Sequence, residues 1–134
     1  MITKTKCIPT IAVMPETMLT LSEKIEKWVY EYCGSLEENY KLRYPNSHSD
    51  KEFKMQLGKK YWKISMWDVE SDGVHFSSGG VNAFVDKNTG EVYKPASYKS
   101  PAKHVRYDMR LIKDRANLHN PNFTDWAGGF LYLR

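Results

Sequence analysis

Tyr61-Trp62-Lys63-Ile64-Ser65-Met66-Trp67 sets Trp62, Ile64 and Met66 on one face and Tyr61, Lys63, Ser65 and Trp67 on the other. A period of two describes a β-strand with one face buried. Downstream, Asp72-Gly73 breaks the pattern, Val74-His75-Phe76 reads as a second short strand, and Ser77-Ser78-Gly79-Gly80 reads as a loop. Val81 to Val85 follows as a third strand. Asp86-Lys87-Asn88-Thr89-Gly90 has the residues of a short hairpin loop, with Gly90 or Asn88 able to take positive φ, and Glu91-Val92-Tyr93 returns as a fourth strand. Residues 60–93 are therefore expected to form an antiparallel meander.

Upstream the period becomes helical. Leu21, Ile25, Trp28, Val29, Tyr32, Leu36 and Tyr40 recur every three to four residues, and Thr20 followed by Glu23 has capping-box spacing. The pattern predicts a helix over 20–44 whose apolar stripe covers the sheet. Gly34 weakens it or ends it early, whereas Tyr44-Pro45-Asn46-Ser47 is a plain stop leading into a polar loop through Asp50. Residues 1–15, with Pro9 and Pro15, form an extended arm or an edge strand at Ile11 to Val13.

The fold class expected is α+β: one long N-terminal helix on an antiparallel β-meander, then a basic loop over 94–106, a second short helix within Val105 to Leu118 and a docked C-terminal tail, the last two filling 107–134. The ring-rich end from Phe123 to Leu133 is expected to lie on the body as a last strand, because rings left in water are costly. A chain of 134 residues suits one domain with one core. No apolar run reaches the roughly 20 residues that span a bilayer, and Met1 to Lys6 lacks the apolar stretch of a signal peptide. The expectation is a cytoplasmic protein without a membrane partner.

Charge is unevenly spread. Net charge is +4 and the pI near 9.0, yet residues 16–38 hold Glu16, Glu23, Glu26, Glu31, Glu37 and Glu38 against Lys24 and Lys27. The basic excess lies in the rest of the chain and is densest between Tyr93 and Arg106. There Tyr93, Lys94, Tyr98, Lys99, Lys103, His104 and Arg106 occur with no acid, and Pro95 and Pro101 stiffen the loop. Lysines held apart neutralise phosphates while rings stack on bases or sugars, so these seven residues are the candidate nucleic-acid-binding set. The other reading is a solvated loop whose lysines keep the protein soluble. Lys51, Lys54, Lys59, Lys60 and Lys63 extend the basic surface if the loop folds back beside the strand at Tyr61.

Catalytic signals are thin. There is no Walker-type loop, GxSxG elbow or HExxH, and His48, His75, His104 and His119 lie at no ligand spacing. Cys7 and Cys33 lack CxxC spacing and are expected to be reduced thiols. A hydrolase built in space from Cys33, His75 and a distant Asp stays open. Beyond that, no catalytic residue, metal site or cofactor is expected, and a non-enzymatic binding protein is the favoured class.

The run Phe84-Val85-Asp86-Lys87-Asn88-Thr89-Gly90-Glu91-Val92-Tyr93-Lys94-Pro95-Ala96-Ser97-Tyr98-Lys99-Ser100-Pro101-Ala102-Lys103 resembles a stretch of small uncharacterised proteins encoded by tailed bacteriophages. This resemblance implies a viral protein acting inside an infected bacterial host, and it implies no catalytic residue. The Asp86-x-x-Thr89-Gly90 hairpin after a helix is also similar to the repeat of PepSY-type domains, whose fold is a helix on a small antiparallel sheet. The expected partner is DNA or RNA. The alternatives are a host nucleic-acid-handling protein, inhibited or modulated by an acidic helix face of Glu23, Glu26, Glu31, Glu37 and Glu38, and a minor virion or assembly role.

Overall fold

The computed structural model describes residues 9–47, 50–69 and 76–132, with 76–79 as backbone. Along the chain run α1 (Thr10–Val13), α2 (Leu21–Arg43), β1 (Asp50–Leu57), β2 (Tyr61–Val69), β3 (Phe76–Asp86), β4 (Glu91–Tyr93), β5 (Tyr107–Asp108) and α3 (Ile112–Leu118). The strands follow one another across the sheet in sequence order, each antiparallel to the next. This is the α+β meander anticipated, with α2 laid on one face.

Helix α2 starts where the capping box places it. The Glu23 amide donates to Thr20 Oγ1 at 3.3 Å, and the Thr20 amide donates to Glu23 Oε1 at 2.9 Å, so two orphan amides of the first turn are satisfied. Ile25, Trp28, Val29, Tyr32, Leu36 and Tyr40 are buried, each worth about 1.5–3 kcal/mol of apolar burial for side chains of this size. All but Tyr40 meet Phe53, Ile64, Ala83, Val85 and Val92 of the sheet in one core. The helix runs through Gly34, which faces open space. There the lost side chain costs only helix propensity, about 1 kcal/mol, and the buried residues on either side outweigh it.

The sheet departs from the expected strands in two places. First, β1 is a full strand that begins within the expected polar loop. Only Phe53 is fully buried along it, and its Lys, Glu and Gln residues mask the alternation, as befits the edge of a sheet. Second, Phe76 and the expected strand at 81–85 belong to one strand, β3; Val74 and His75, the rest of the expected second strand, lie outside the described residues. The serines and glycines at 77–80, expected to loop, sit where the β2–β3 register shifts between Met66 and Trp67. Gly80 takes φ 112 there, so a bulge uses the same residue types as a turn. A second shift, between Ile64 and Ser65, admits Asn82 as an extra residue. The 86–90 hairpin forms as expected: Asp86 Oδ1 accepts the Asn88 and Thr89 amides, and Gly90 takes φ 78.

Both ends correct the sequence expectation. Ile11 to Val13 form neither an edge strand nor an extended arm. They wind into α1 after Pro9, and Glu16–Met18 wind into a 3-10 turn after Pro15. Proline's fixed φ suits the entry to a helical turn and the missing amide is no loss there. Trp28 Nε1 donates to Glu16 Oε1 at 2.8 Å and Lys27 Nζ donates to the Met14 carbonyl at 3.0 Å, pinning this segment to α2.

Within Val105 to Leu118 only Ile112–Leu118 is helical. Val92 O accepts the Arg106 amide and Gly90 O the Met109 amide, which draws Tyr107-Asp108 into the sheet as β5. The tail docks through turns and a 3-10 turn at Gly129–Leu131, and contributes no strand among the described residues. Its backbone is met by side chains instead. Asn39 Nδ2 donates to Pro121 O at 2.8 Å, Asn39 Oδ1 accepts the Trp126 amide at 3.0 Å, and Ser35 Oγ lies 2.9 Å from Thr124 Oγ1.

Replacing Asn39 with Ala leaves a partly buried carbonyl and amide unpaired, at about 1–3 kcal/mol for each. We expect Asn39→Ala to lose about 2–4 kcal/mol in urea denaturation; a loss under about 0.5 kcal/mol, the size of a neutral surface change, contradicts this role. His119 gives a pH signature. Its Nε2 is 3.0 Å from Trp28 O and its Nδ1 is 3.3 Å from Glu31, and burial lowers its pKa from the ordinary 6.5, outweighing the opposite pull of Glu31. The unfolded chain therefore binds more protons in this range, and stability falls as pH drops through about 6.5 towards the lowered folded value. His119→Gln should flatten that part of the stability–pH curve, and an unchanged slope contradicts the assignment.

Candidate functional site

Alternation along β2 and β3 divides the sheet. Trp62, Ile64 and Met66 pack with the core under α2, so Lys63 and its register partner Phe84 point to the opposite face. Phe84 is nevertheless only 3% exposed. Tyr61 stands 6.0 Å from it and Tyr93 stands 5.9 Å from Tyr61, each crossing edge to face. The segment after β4 completes the cover. Pro95 bridges to Pro101, the Ala102 amide donates to Lys94 O at 2.7 Å and the Ala96 amide to Ser100 O at 3.0 Å. Ser97 Oγ accepts the Lys99 and Ser100 amides. This closed loop puts Tyr98 at its tip, with the Lys63 ammonium 3.3 Å from the Tyr98 ring centroid.

Between this loop and the β1–β2 turn lies an open cleft of about 340 Å³. The turn is tight: the Gly58 amide donates to Tyr61 O at 2.9 Å and leaves Lys59 and Lys60 at the tip. A Cβ on Gly58 would stand 3.3 Å from that oxygen. Leu57, Tyr61 and Phe84 give the cleft an apolar floor, and Lys59, Lys60, Lys63 and Lys99 stand around it. The ion pairs Lys51–Asp68 and Arg110–Asp108 draw on none of these lysines. A hydrogen bond to the Tyr61 side chain raises the Lys60 pKa above its ordinary 10.5, so that group stays charged. The nearby Asp86 carboxylate is buried and occupied by the hairpin amides.

The seven residues expected from sequence separate into three groups. Tyr93, Tyr98 and Lys99 belong to the cleft side: Tyr93 packs on Tyr61, Tyr98 is 56% exposed beneath Lys63, and Lys99 lines the cleft. Lys94 and Arg106 turn to the tail. Lys94 Nζ lies 4.5 Å from the Tyr132 ring centroid, and Arg106 donates to Leu131 O at 2.7 Å, Lys103 O at 2.7 Å and His104 O at 2.6 Å. Lys103 and His104 are exposed, and His104 takes φ 74. Of the conditional lysines, Lys59, Lys60 and Lys63 join the cleft. Lys51 does not: it pairs with Asp68 and lies over Tyr40 and Trp126. Lys54 lies over Trp67. Leu57 and Phe84 carried no sequence signal beyond an apolar position in a strand.

On the acidic helix, Glu23 is the capping-box acceptor, Glu31 faces His119, and Glu37 accepts the Phe53 amide of β1 at 2.9 Å. Cys33 is a buried thiol, while Cys7, His48 and His75 lie outside the described residues. Among the described residues no group of three or more His, Cys, Asp or Glu is placed to hold a metal ion, and no helix is long and apolar enough to cross a membrane.

The molecule is thus a helix-on-meander α+β protein with a lysine-ringed aromatic cleft on the uncovered side of its sheet. The chain belongs to a family of unknown function, DUF7717, which matches residues 12–133. No curated protein and no solved structure matches it.

Arg106 serves the fold in this arrangement. Its three carbonyl acceptors would be left without a charged donor in Arg106→Ala, a loss of about 2–3 kcal/mol. Limited proteolysis should then cut near residues 130–132 faster than in the parent chain, and unchanged cleavage contradicts the clamp.

Proposed function

We propose that this protein binds nucleic acid through the cleft side of its sheet, with Lys59, Lys60, Lys63 and Lys99 as phosphate-neutralising groups and Tyr61 and Tyr98 as the accompanying rings. The observation that carries this reading is the folding of Lys99 beside Lys59, Lys60 and Lys63 of the β1–β2 turn and β2, around one aromatic-floored cleft with none of them in a described ion pair. Convergent cations beside rings suit a phosphate chain with exposed bases. In the setting that the phage-like stretch implies, the partner is DNA or RNA in an infected bacterial cell. Modulation of a host protein through the acidic helix finds less support, since Glu23, Glu31 and Glu37 are engaged in internal contacts.

Counterion release makes such binding salt-dependent. With four phosphate contacts on a single strand, log K should fall against log salt with a slope of about −3. Replacing Lys59, Lys60, Lys63 and Lys99 together with Ala should remove most of that slope and most of the affinity in fluorescence anisotropy. Undiminished affinity in the fourfold variant, checked for native circular dichroism, rejects the proposal.

A further inference from the structure

Resting on the nucleic-acid reading above, we infer that the cleft takes one unstacked nucleotide unit, its base against the Tyr61 ring over the Phe84 floor and its phosphate held by Lys60, Lys63 and Lys99. Three observations lead there. A cleft of about 340 Å³ is at the lower end of small-ligand sites, roughly 300–1,000 Å³, and so suits one unit of a chain. Its floor is apolar and aromatic while its rim is cationic, whereas phosphate contact alone needs only the rim. Tyr61 lines the cleft whereas Tyr98 does not, and the Lys63 ammonium sits 3.3 Å from the Tyr98 centroid against 5.4 Å for Lys60 over Tyr61, so Tyr61 is the stacking ring.

A duplex keeps its base faces stacked and offers only groove edges and phosphates. It would meet the Lys59–Lys60 hairpin tip, as a two-stranded ribbon meets a major groove, and leave the floor unused. The nucleotide unit has two sources, a free nucleotide or a single strand, and both present the same ring and phosphate.

The test is fluorescence anisotropy of the full chain with a labelled thymidine strand of about ten nucleotides, an abasic strand of equal length and a duplex of equal length. The thymidine strand is expected to bind about tenfold more tightly than the abasic strand and more tightly than the duplex. Tyr61→Leu should erase the difference between the two strands, and Tyr61→Phe should keep it. Equal affinity for thymidine and abasic strands, or preference for the duplex, overturns the inference while leaving nucleic-acid binding in place. Absence of binding to all three overturns both. Competition with thymidine 5′-monophosphate then identifies the source: displacement assigns a free nucleotide and persistence of the complex assigns the strand, and either upholds the inference once the abasic strand has bound more weakly.

Discussion

The structure depends on a polar requirement inside an apolar helix face. Tyr32, Ser35 and Asn39 lie on the buried stripe of α2, and each needs a hydrogen-bond partner away from water. Tyr32 donates to Asn82 Oδ1 at 2.7 Å, Ser35 meets Thr124, and Asn39 joins Pro121 and Trp126. Asn82 in turn donates to Trp126 O at 3.4 Å. One set of partners therefore fixes both the bulge of β3 and the path of the tail. Gly128, at φ 80, lets the tail turn there, where a Cβ would stand 3.4 Å from Asn82 Nδ2. An all-apolar stripe would offer Pro121, Thr124 and Trp126 no polar partner on the helix.

That same assignment separates the two sides of the sheet. With α2 and the tail filling one side, the rings of Tyr61, Phe84 and Tyr93 on the other have only each other and the 95–101 loop for cover. The loop is short and leaves part of the floor open. Long lysine side chains border what remains, their stems against rings and their ammonium groups in water. Both the apolar floor and the charged rim of the cleft thus follow from partial burial of one aromatic cluster.

Local rules made much of this legible. Capping-box spacing at Thr20 and Glu23 gave the start of α2, and the residues of 86–90 gave the hairpin with its left-handed Gly90. What failed depended on tertiary context. Nothing local distinguishes the serines and glycines of a bulged strand from those of a loop, and an edge strand such as β1 is too charged to display its alternation. Pro9 and Pro15 suited an extended arm as well as a helical entry. For the site, cation density between Tyr93 and Arg106 pointed to the loop that borders the cleft, yet density cannot tell Lys99, on the cleft, from Arg106, whose guanidinium is committed to three carbonyls. The lysines that join Lys99 come from the β1–β2 turn and β2, and only the folded-back loop brings them near.

The side-chain bonds between α2 and the tail also shape the order in which the chain can mature. Ser35 and Thr124 are 89 positions apart, and Asn39 lies 82 and 87 positions from its partners. During synthesis at roughly 5–20 residues per second, the helix emerges several seconds before the segment that satisfies it. In that interval, sealing the stripe of α2 onto the growing sheet would leave Ser35 and Asn39 unpaired, at about 1–3 kcal/mol each. Closure is deferred until the turns around Thr124 and Trp126 arrive, which ties completion of the core to elongation rather than to the formation of the helix itself.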